Sequence, residues 1–235
     1  MIAIVKYNAG NVRSVQNALH RLGVDAVVTD NPKQLREAEK VIFPGVGEAS
    51  TAMQYLKERG LDEVLKNLHQ PFLGICLGLQ LMCKHSEEGD TECLGIFNEN
   101  VKRFPVSKQK VPHMGWNNCS ELKGVLFLPP PPSGTPPFQG ESGGFDQTPA
   151  QSASSPPSER RGDPILSERG GSFENEDFYF VHSYFAELGS QTTAQCDYIL
   201  PFSAALQKDN FHAVQFHPEK SAEIGQQLIK NFLEL

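Results

Sequence analysis

The feature that most constrains this chain is an alternation of short apolar runs with helical periods across its first 83 residues. Ile2–Val5, Ala26–Thr29, Val41–Phe43 and Phe72–Ile75 are apolar or β-branched and of strand length. From Asn11 to Leu22 the residues Val12, Val15, Leu19 and Leu22 recur at helical spacing. Asn31-Pro32 opens a second helix through Ala38, with proline in the first turn, where its missing N–H costs nothing. Glu48–Arg59 and Leu61–His69 read as two more helices, and Gly78–Cys83 as the start of another. Continuous apolar strands separated by helices build βαβ units. The expected fold is therefore α/β, a mainly parallel central sheet with helices on both faces. Such sheets bind ligands beyond the carboxyl ends of their strands. Tyr7–Asn11, Pro44–Gly47 and Cys76 all lie at such ends.

The second half is more β-like. Gly95–Phe104, Met114–Asn117, Phe178–His182, Thr192–Asp197 and Phe211–Phe216 have strand character. The last helix, Ala222–Leu235, puts Ile224, Leu228, Asn231 and Leu235 on one face with Phe232 adjoining, a stripe fit to cover the sheet. Between these parts, Pro, Gly and Ser supply 25 of the 44 residues from 129 to 172, and no period emerges. Such a composition buries too little apolar surface to order itself. The expectation is one domain, 1–235, interrupted at about 123–172 by a disordered insertion, which exposed loops tolerate at small entropic cost.

Two segments carry chemistry. Gly74-Ile75-Cys76-Leu77-Gly78 places a thiol between two glycines where a strand meets a helix, the thiol counterpart of a nucleophile elbow. A helix N-terminus favours the thiolate, and the N–H of Leu77 is placed to donate to an oxyanion. Far downstream, Gln215-Phe216-His217-Pro218-Glu219 supplies a histidine to move protons and a carboxylate two residues on to fix its tautomer. A lone buried cysteine is more often a small hydrophobe than a nucleophile, and a lone His-x-Glu is commonplace. The conjunction is far more specific, and points to cleavage of an amide or ester through a thioester.

The net charge of −7 argues against nucleic acid or an anionic membrane as the main partner. Cys76, Cys83, Cys93, Cys119 and Cys196 are odd in number and lack a Cys-x-x-Cys pair, so neither a disulfide framework nor a zinc site is indicated. Met-Ile-Ala-Ile-Val is followed by Lys6 without a long apolar stretch, which is not the pattern of a signal peptide. A reducing, cytoplasmic setting is expected.

With these residues in view, the chain resembles the class I (triad) glutamine amidotransferases, and within them the glutaminase subunits of imidazole glycerol phosphate synthases. The resemblance covers roughly 1–122 and 173–235. It rests on Asn8-Ala9-Gly10-Asn11, Pro44-Gly45-Val46-Gly47, the segment from Gly74 to Met82, Ser86-Glu87-Glu88-Gly89, His113-Met114-Gly115-Trp116-Asn117, Phe180-Val181-His182-Ser183-Tyr184 and His217-Pro218-Glu219-Lys220-Ser221. It implies a flavodoxin-like domain with Cys76 as nucleophile, His217 as base and acid, and Glu219 as orienting carboxylate. It implies an oxyanion hole from Leu77 and the backbone at Val46-Gly47, the second donor able to start out flipped away. Gly47, Gln80, Glu88, Ser183 and Tyr184 would surround L-glutamine, with Glu88 on its α-ammonium. Asn11, Met114, Trp116 and Lys220 would lie near a (βα)₈-barrel cyclase that receives the ammonia in a heterodimer of histidine biosynthesis. No metal or organic cofactor is implied. The rivals are another triad glutaminase, a free-standing cysteine peptidase or esterase, and a non-catalytic scaffold that uses the proline-rich segment.

Overall fold

A computed structural model describes residues 1–8, 10–129 and 173–235. The first half follows the sequence pattern closely: β1 (Ile2–Val5), α1 (Val12–Arg21), β2 (Ala26–Thr29), α2 (Pro32–Glu37), β3 (Lys40–Phe43), α3 (Ala49–Glu58), α4 (Leu61–Lys66), β4 (Phe72–Ile75) and α5 (Leu77–Met82). Short β5 (His85–Ser86) and β6 (Thr91–Glu92) lead to β7 (Asn100–Arg103) and β8 (His113–Asn118). After residue 172 come β9 (Asp177–His182), β10 (Tyr184–Ala186), β11 (Thr192–Asp197), β12 (Pro201–Lys208), β13 (Phe211–Val214) and α6 (Ala222–Leu233).

Strands β2-β1-β3-β4-β13 pair in parallel in that order. Beyond β13 the sheet continues through β12, β10 and β7, all antiparallel, and closes with β5 and β6. The parallel part has the 2-1-3-4-5 order of a flavodoxin-like sheet. Period-2 alternation divides its side chains between two cores. Val5, Phe43 and Phe72 pack with Leu35, Leu56, Leu61, Leu65 and Leu79 from α2–α5. Ile4, Ile42, Leu73 and Ile75 pack with Val15 and Leu19 of α1 and Leu228, Ile229 and Phe232 of α6. Each of these buried side chains stabilises by roughly 1.5–3 kcal/mol. Asn31 caps α2 by accepting from the N–H groups of Lys33 and Gln34.

A separate ribbon, β8 paired antiparallel with β9, lies over one end of the molecule. Phe178 and Phe180 are buried on its inner side, with Phe178 stacked on Phe216 at 4.0 Å. Trp116 pairs with Tyr179 across it, and Trp116 and Met114 face solvent at 54% and 63% exposure.

The structure corrects several sequence expectations. The longest strand among the described residues, β12, lies where no strand is expected: its run Pro201–Lys208 opens on proline and holds only one aromatic and no β-branched residue, so it has little strand propensity. It forms because β13, β11 and β10 all pair with it, a case of context overriding propensity. Within Gly95–Phe104 only Asn100–Arg103 is a strand. On α6, Ile229 is buried while Leu235, assigned to the apolar stripe, is 42% exposed at the chain end. Most of the expected insertion, from 130 on, lies outside the described residues. Its opening residues form a 3₁₀ turn, Val125–Phe127, with Leu126 and Phe127 buried. Asn231 of α6 donates to the carbonyls of Leu126 and Leu128 and holds that turn in place.

Candidate active site

Four strands of the parallel sheet end on one side, and the residues that follow them converge: Tyr7 and Asn11 after β1, Pro44–Gly47 after β3, Cys76 after β4 and Gln215–Glu219 after β13. Cys76 sits at φ 53°, ψ −106° between β4 and α5. A side chain held in such a conformation marks a strained turn fixed by its surroundings. Here the fixing contacts are Cys76 N–H to the Val214 carbonyl at 2.8 Å and the Gln80 N–H to the Cys76 carbonyl at 3.2 Å. The flanking glycines act differently. A Cβ on Gly78 would stand 1.9 Å from the Phe43 carbonyl oxygen, which is backbone. A Cβ on Gly74 would meet the sulfur of the buried Met82 at 2.5 Å, with backbone atoms of Gly78 and Leu79 at 3.1 Å.

His217 follows β13 and leads into a short 3₁₀ turn, Pro218–Lys220, that brings Glu219 back beside it. The His217 Nδ1 to Glu219 Oε1 distance is 2.8 Å and both side chains are fully buried. A carboxylate only accepts, so Nδ1 carries the proton and Nε2 is left without a hydrogen-bond partner among the described residues. Burial alone would lower the His217 pKa. Charge and hydrogen-bond interactions with Cys76 and with the Glu219 carboxylate outweigh it and raise the pKa to about 10. His217 is thus held as imidazolium beside Cys76. Its backbone is fixed from two sides: its N–H donates to the Tyr179 carbonyl, and the Ser221 hydroxyl donates to its carbonyl at 2.7 Å.

A cavity of ≈ 290 Å³ opens at Cys76. All five residues expected around the substrate, Gly47, Gln80, Glu88, Ser183 and Tyr184, line it together with Val46 and Leu77. Glu88 is half-buried, its Oε2 accepting from the N–H of Ala49 at 2.8 Å, and desolvation raises its pKa. The expected oxyanion donors are engaged within the protein. The Leu77 N–H donates to the Gly45 carbonyl at 3.3 Å, and the Val46 carbonyl accepts from Gly10. The loop is tight: the Tyr7 hydroxyl donates to the Pro44 carbonyl at 2.6 Å, and a Cβ on Gly45 would lie 1.9 Å from that hydroxyl.

Of the residues expected at a partner face, Met114, Trp116 and Lys220 are exposed on one side, with the Lys220 ammonium 5.7 Å from the Tyr179 ring centre. Asn11 differs. It is partly buried in a left-handed conformation, and its amide nitrogen donates to Glu219 Oε1 and lies 3.3 Å from His217 Nδ1. Its contacts are to the His–Glu pair. No local pattern signals this, because a left-handed turn after β1 is what swings the amide inward.

Under the ribbon two more histidines are buried. His182 Nδ1 donates to the Tyr184 carbonyl at 2.8 Å, and its Nε2 lies 3.1 Å from His113 Nδ1. Burial, the main cause, lowers His182 to about 3 and His113 to about 4, and burial lowers His212 to about 4 as well. Unfolding exposes all three to a pKa near 6.5, so the unfolded chain binds their protons first. Their neutral burial contributes fully above pH 6.5 and is lost as pH falls toward 4 and then 3. Each one then costs up to about 1.4 kcal/mol per pH unit. The melting temperature is expected to fall steadily from pH 6.5 to pH 4, with proton uptake on unfolding. A melting temperature constant across that window contradicts this assignment.

Known proteins resemble this chain over its whole length. The family model described as "Glutamine amidotransferase class-I" matches residues 3–235. The chain is 51% identical over 236 residues to a Bacteroides fragilis protein named "Imidazole glycerol phosphate synthase subunit HisH", covering 100% of this chain and 99% of the relative. A protein of the same name from Vibrio parahaemolyticus is 37% identical over 240 residues, covering 100% and 98%. Among solved structures, one described as a glutamine amidotransferase aligns with TM-score 0.63 at 18% identity, covering 100% of this chain and 98% of that one. Another, described as PurLQS from Thermotoga maritima, aligns with TM-score 0.56 at 13% identity, covering 99% and 97%. At those identities the structural likeness concerns the fold alone.

Proposed function

We propose a function from one premise: the chain belongs to the class-I glutamine amidotransferases. It is the glutamine-hydrolysing subunit of an imidazole glycerol phosphate synthase in histidine biosynthesis. In this reading the whole chain is one amidotransferase domain carrying an insertion at about 123–172, and it works in the cytoplasm. Among the described residues no helix is long and apolar enough to cross a membrane.

The observation that carries the reading is the buried His217–Glu219 pair, its Nε2 unpaired among the described residues, beside a cysteine that opens into the cavity. Cys76 Sγ attacks the carboxamide carbon of L-glutamine, and the carbonyl oxygen takes the negative charge. His217 gives its Nε2 proton to the leaving nitrogen, the C–N bond breaks, and ammonia departs from a thioester. Water then attacks that thioester, His217 takes a proton from it, and the C–S bond breaks to release glutamate and restore the thiolate–imidazolium pair. Glu219 holds the imidazole in one tautomer throughout. Glu88 binds the substrate's α-ammonium from the cavity wall.

The oxyanion needs donors, and Leu77 N–H is committed to the Gly45 carbonyl. Turning the Gly45–Val46 peptide frees that N–H and presents a second one. The rotation changes ψ of Gly45 and φ of Val46, and Gly45 has the backbone freedom of a residue without a Cβ. Losing one such donor costs about 10²–10³ in kcat. The isolated chain is therefore a slow glutaminase, and the cyclase, a (βα)₈ barrel seated on the Met114, Trp116 and Lys220 face, speeds it. Ammonia passes directly to that partner, because in bulk water it would protonate and cease to be a nucleophile. The test is glutamate release by the purified chain, alone and with the cyclase plus its nucleotide ligand. Stimulation of roughly 10² or more is expected, on the scale of one oxyanion donor. No turnover with the partner demonstrably bound contradicts the assignment.

A further inference from the structure

We infer that Gln215 is a positioning residue for the nucleophile: its side-chain amide donates to the Cys76 sulfur and holds the thiolate in its attacking position. The inference rests on the reading of Cys76 as nucleophile.

Strand β13 pairs with β4 in parallel register, Val214 opposite Ile75. The residues that directly follow the two strands, Gln215 and Cys76, are thereby brought side by side. Gln215 is fully buried, its backbone N–H held by the Ala204 carbonyl at 2.8 Å. Its Nε2 lies 3.6 Å from Cys76 Sγ, within reach of a hydrogen bond to sulfur.

An amide offers a donor at one end and an acceptor at the other, so what faces the sulfur depends on which way the group is turned. Here the turn is imposed by a chain of partners. The Tyr184 carbonyl can only accept, and Gln80 Nε2 donates to it at 2.9 Å. The same Nε2 donates its second hydrogen to Gln215 Oε1 at 3.1 Å. With its oxygen taken by Gln80, Gln215 must point its N–H groups at Cys76. Flipping Gln215 would set two N–H groups against each other and leave an oxygen against a thiolate, both in a buried setting where unmet polar groups are costly. The polarity of the donor is therefore fixed before substrate arrives, which is what a preorganised site requires. The arrangement also divides labour on Gln80: its nitrogen is spent on the protein, and its oxygen is the part left for the cavity.

A structural role alone, filling space between β13 and α5, predicts that a side chain of the same size serves as well. The test separates the two. Gln215→Met keeps the volume and removes the donor. The full chain carrying it is compared with the parent in two assays: the pH dependence of Cys76 alkylation by iodoacetamide, read by mass spectrometry, and glutamine turnover with the cyclase bound. A hydrogen bond to a charged group is worth about tenfold or more. The alkylation midpoint is expected to move up by about one pH unit, and kcat to fall about tenfold with KM for glutamine little changed. An unmoved midpoint and unchanged kcat in a folded Gln215→Met chain overturn the inference. If that chain does not fold, Gln215→Asn, which keeps an amide one methylene short of the sulfur, is expected to give the same shifts, and their absence overturns the inference equally. The underlying reading fails separately. If the parent's turnover survives Cys76→Ala, the nucleophile is elsewhere, and both fall together.

Discussion

Cys76→Ala is expected to abolish glutamine hydrolysis, with kcat in the partner-bound complex down by at least about 10⁴-fold, while the chain stays folded. The loss is large because the sulfur forms the covalent intermediate; without it only binding and a weak oxyanion site remain. The structural cost is small. Cys76 is 5% exposed at the cavity edge, so alanine opens space that is already continuous with the cavity. His217→Ala is expected to cost nearly as much, and the double variant no more than either alone, because groups that act as a unit are not additive. His217→Ala also leaves Glu219 buried with only the Asn11 amide, so it should lower stability where Cys76→Ala does not. Steady-state turnover and thermal melts on the same samples check both parts. Turnover by Cys76→Ala within tenfold of the parent contradicts the account.

Gly78→Ala is expected to lower folding stability by about 3 kcal/mol or more and to remove turnover with it. Its Cβ would meet the Phe43 backbone 1.9 Å from the carbonyl oxygen and 3.0 Å from the carbonyl carbon. Phe43 cannot retreat: it ends β3, paired with Gly74 of β4, and its side chain is fully buried between the rings of Tyr7 and Phe72. Either the elbow shifts or the β3–β4 pairing opens, and both displace Cys76. Gly60→Ala provides the contrast. Gly60 lies at φ 62° with nothing within 4 Å of a new Cβ, so only the left-handed backbone penalty of about 1 kcal/mol applies. Denaturant midpoints for the two variants should differ clearly. Equal midpoints would contradict the Phe43 contact as the reason for the glycine.

The parts legible in the sequence share a physical basis. In the first half β1, β3 and β4 are buried almost throughout, β2 is a partly exposed edge strand, α1 to α4 each bury one apolar stripe and α5 is buried all round, so local pattern and tertiary burial largely agree from β1 to α5. The elbow and the His-Pro-Glu turn are readable because their chemistry demands particular residue types at short spacing. What escapes the sequence depends on contacts between distant segments. β12 has a composition that favours no strand and is made one by three neighbours. Asn11 reaches the His–Glu pair only because the turn after β1 is left-handed. Gln215 stands in the same short segment as His217, but its place beside Cys76 follows from the β4–β13 register, which no local period specifies. The Leu77 donor lies next to the nucleophile in sequence, yet its engagement with Gly45 depends on how one peptide plane is turned.

The most direct test of the central claim is covalent. The partner-bound chain is treated with a diazoketone analogue of glutamine, and the labelled residue is located by peptide mass spectrometry while residual glutaminase activity is followed. The account predicts a single adduct, on Cys76, formed in step with the loss of activity and blocked by L-glutamine. Activity lost without label on Cys76, or label on Cys83, Cys93, Cys119 or Cys196 in its place, contradicts it.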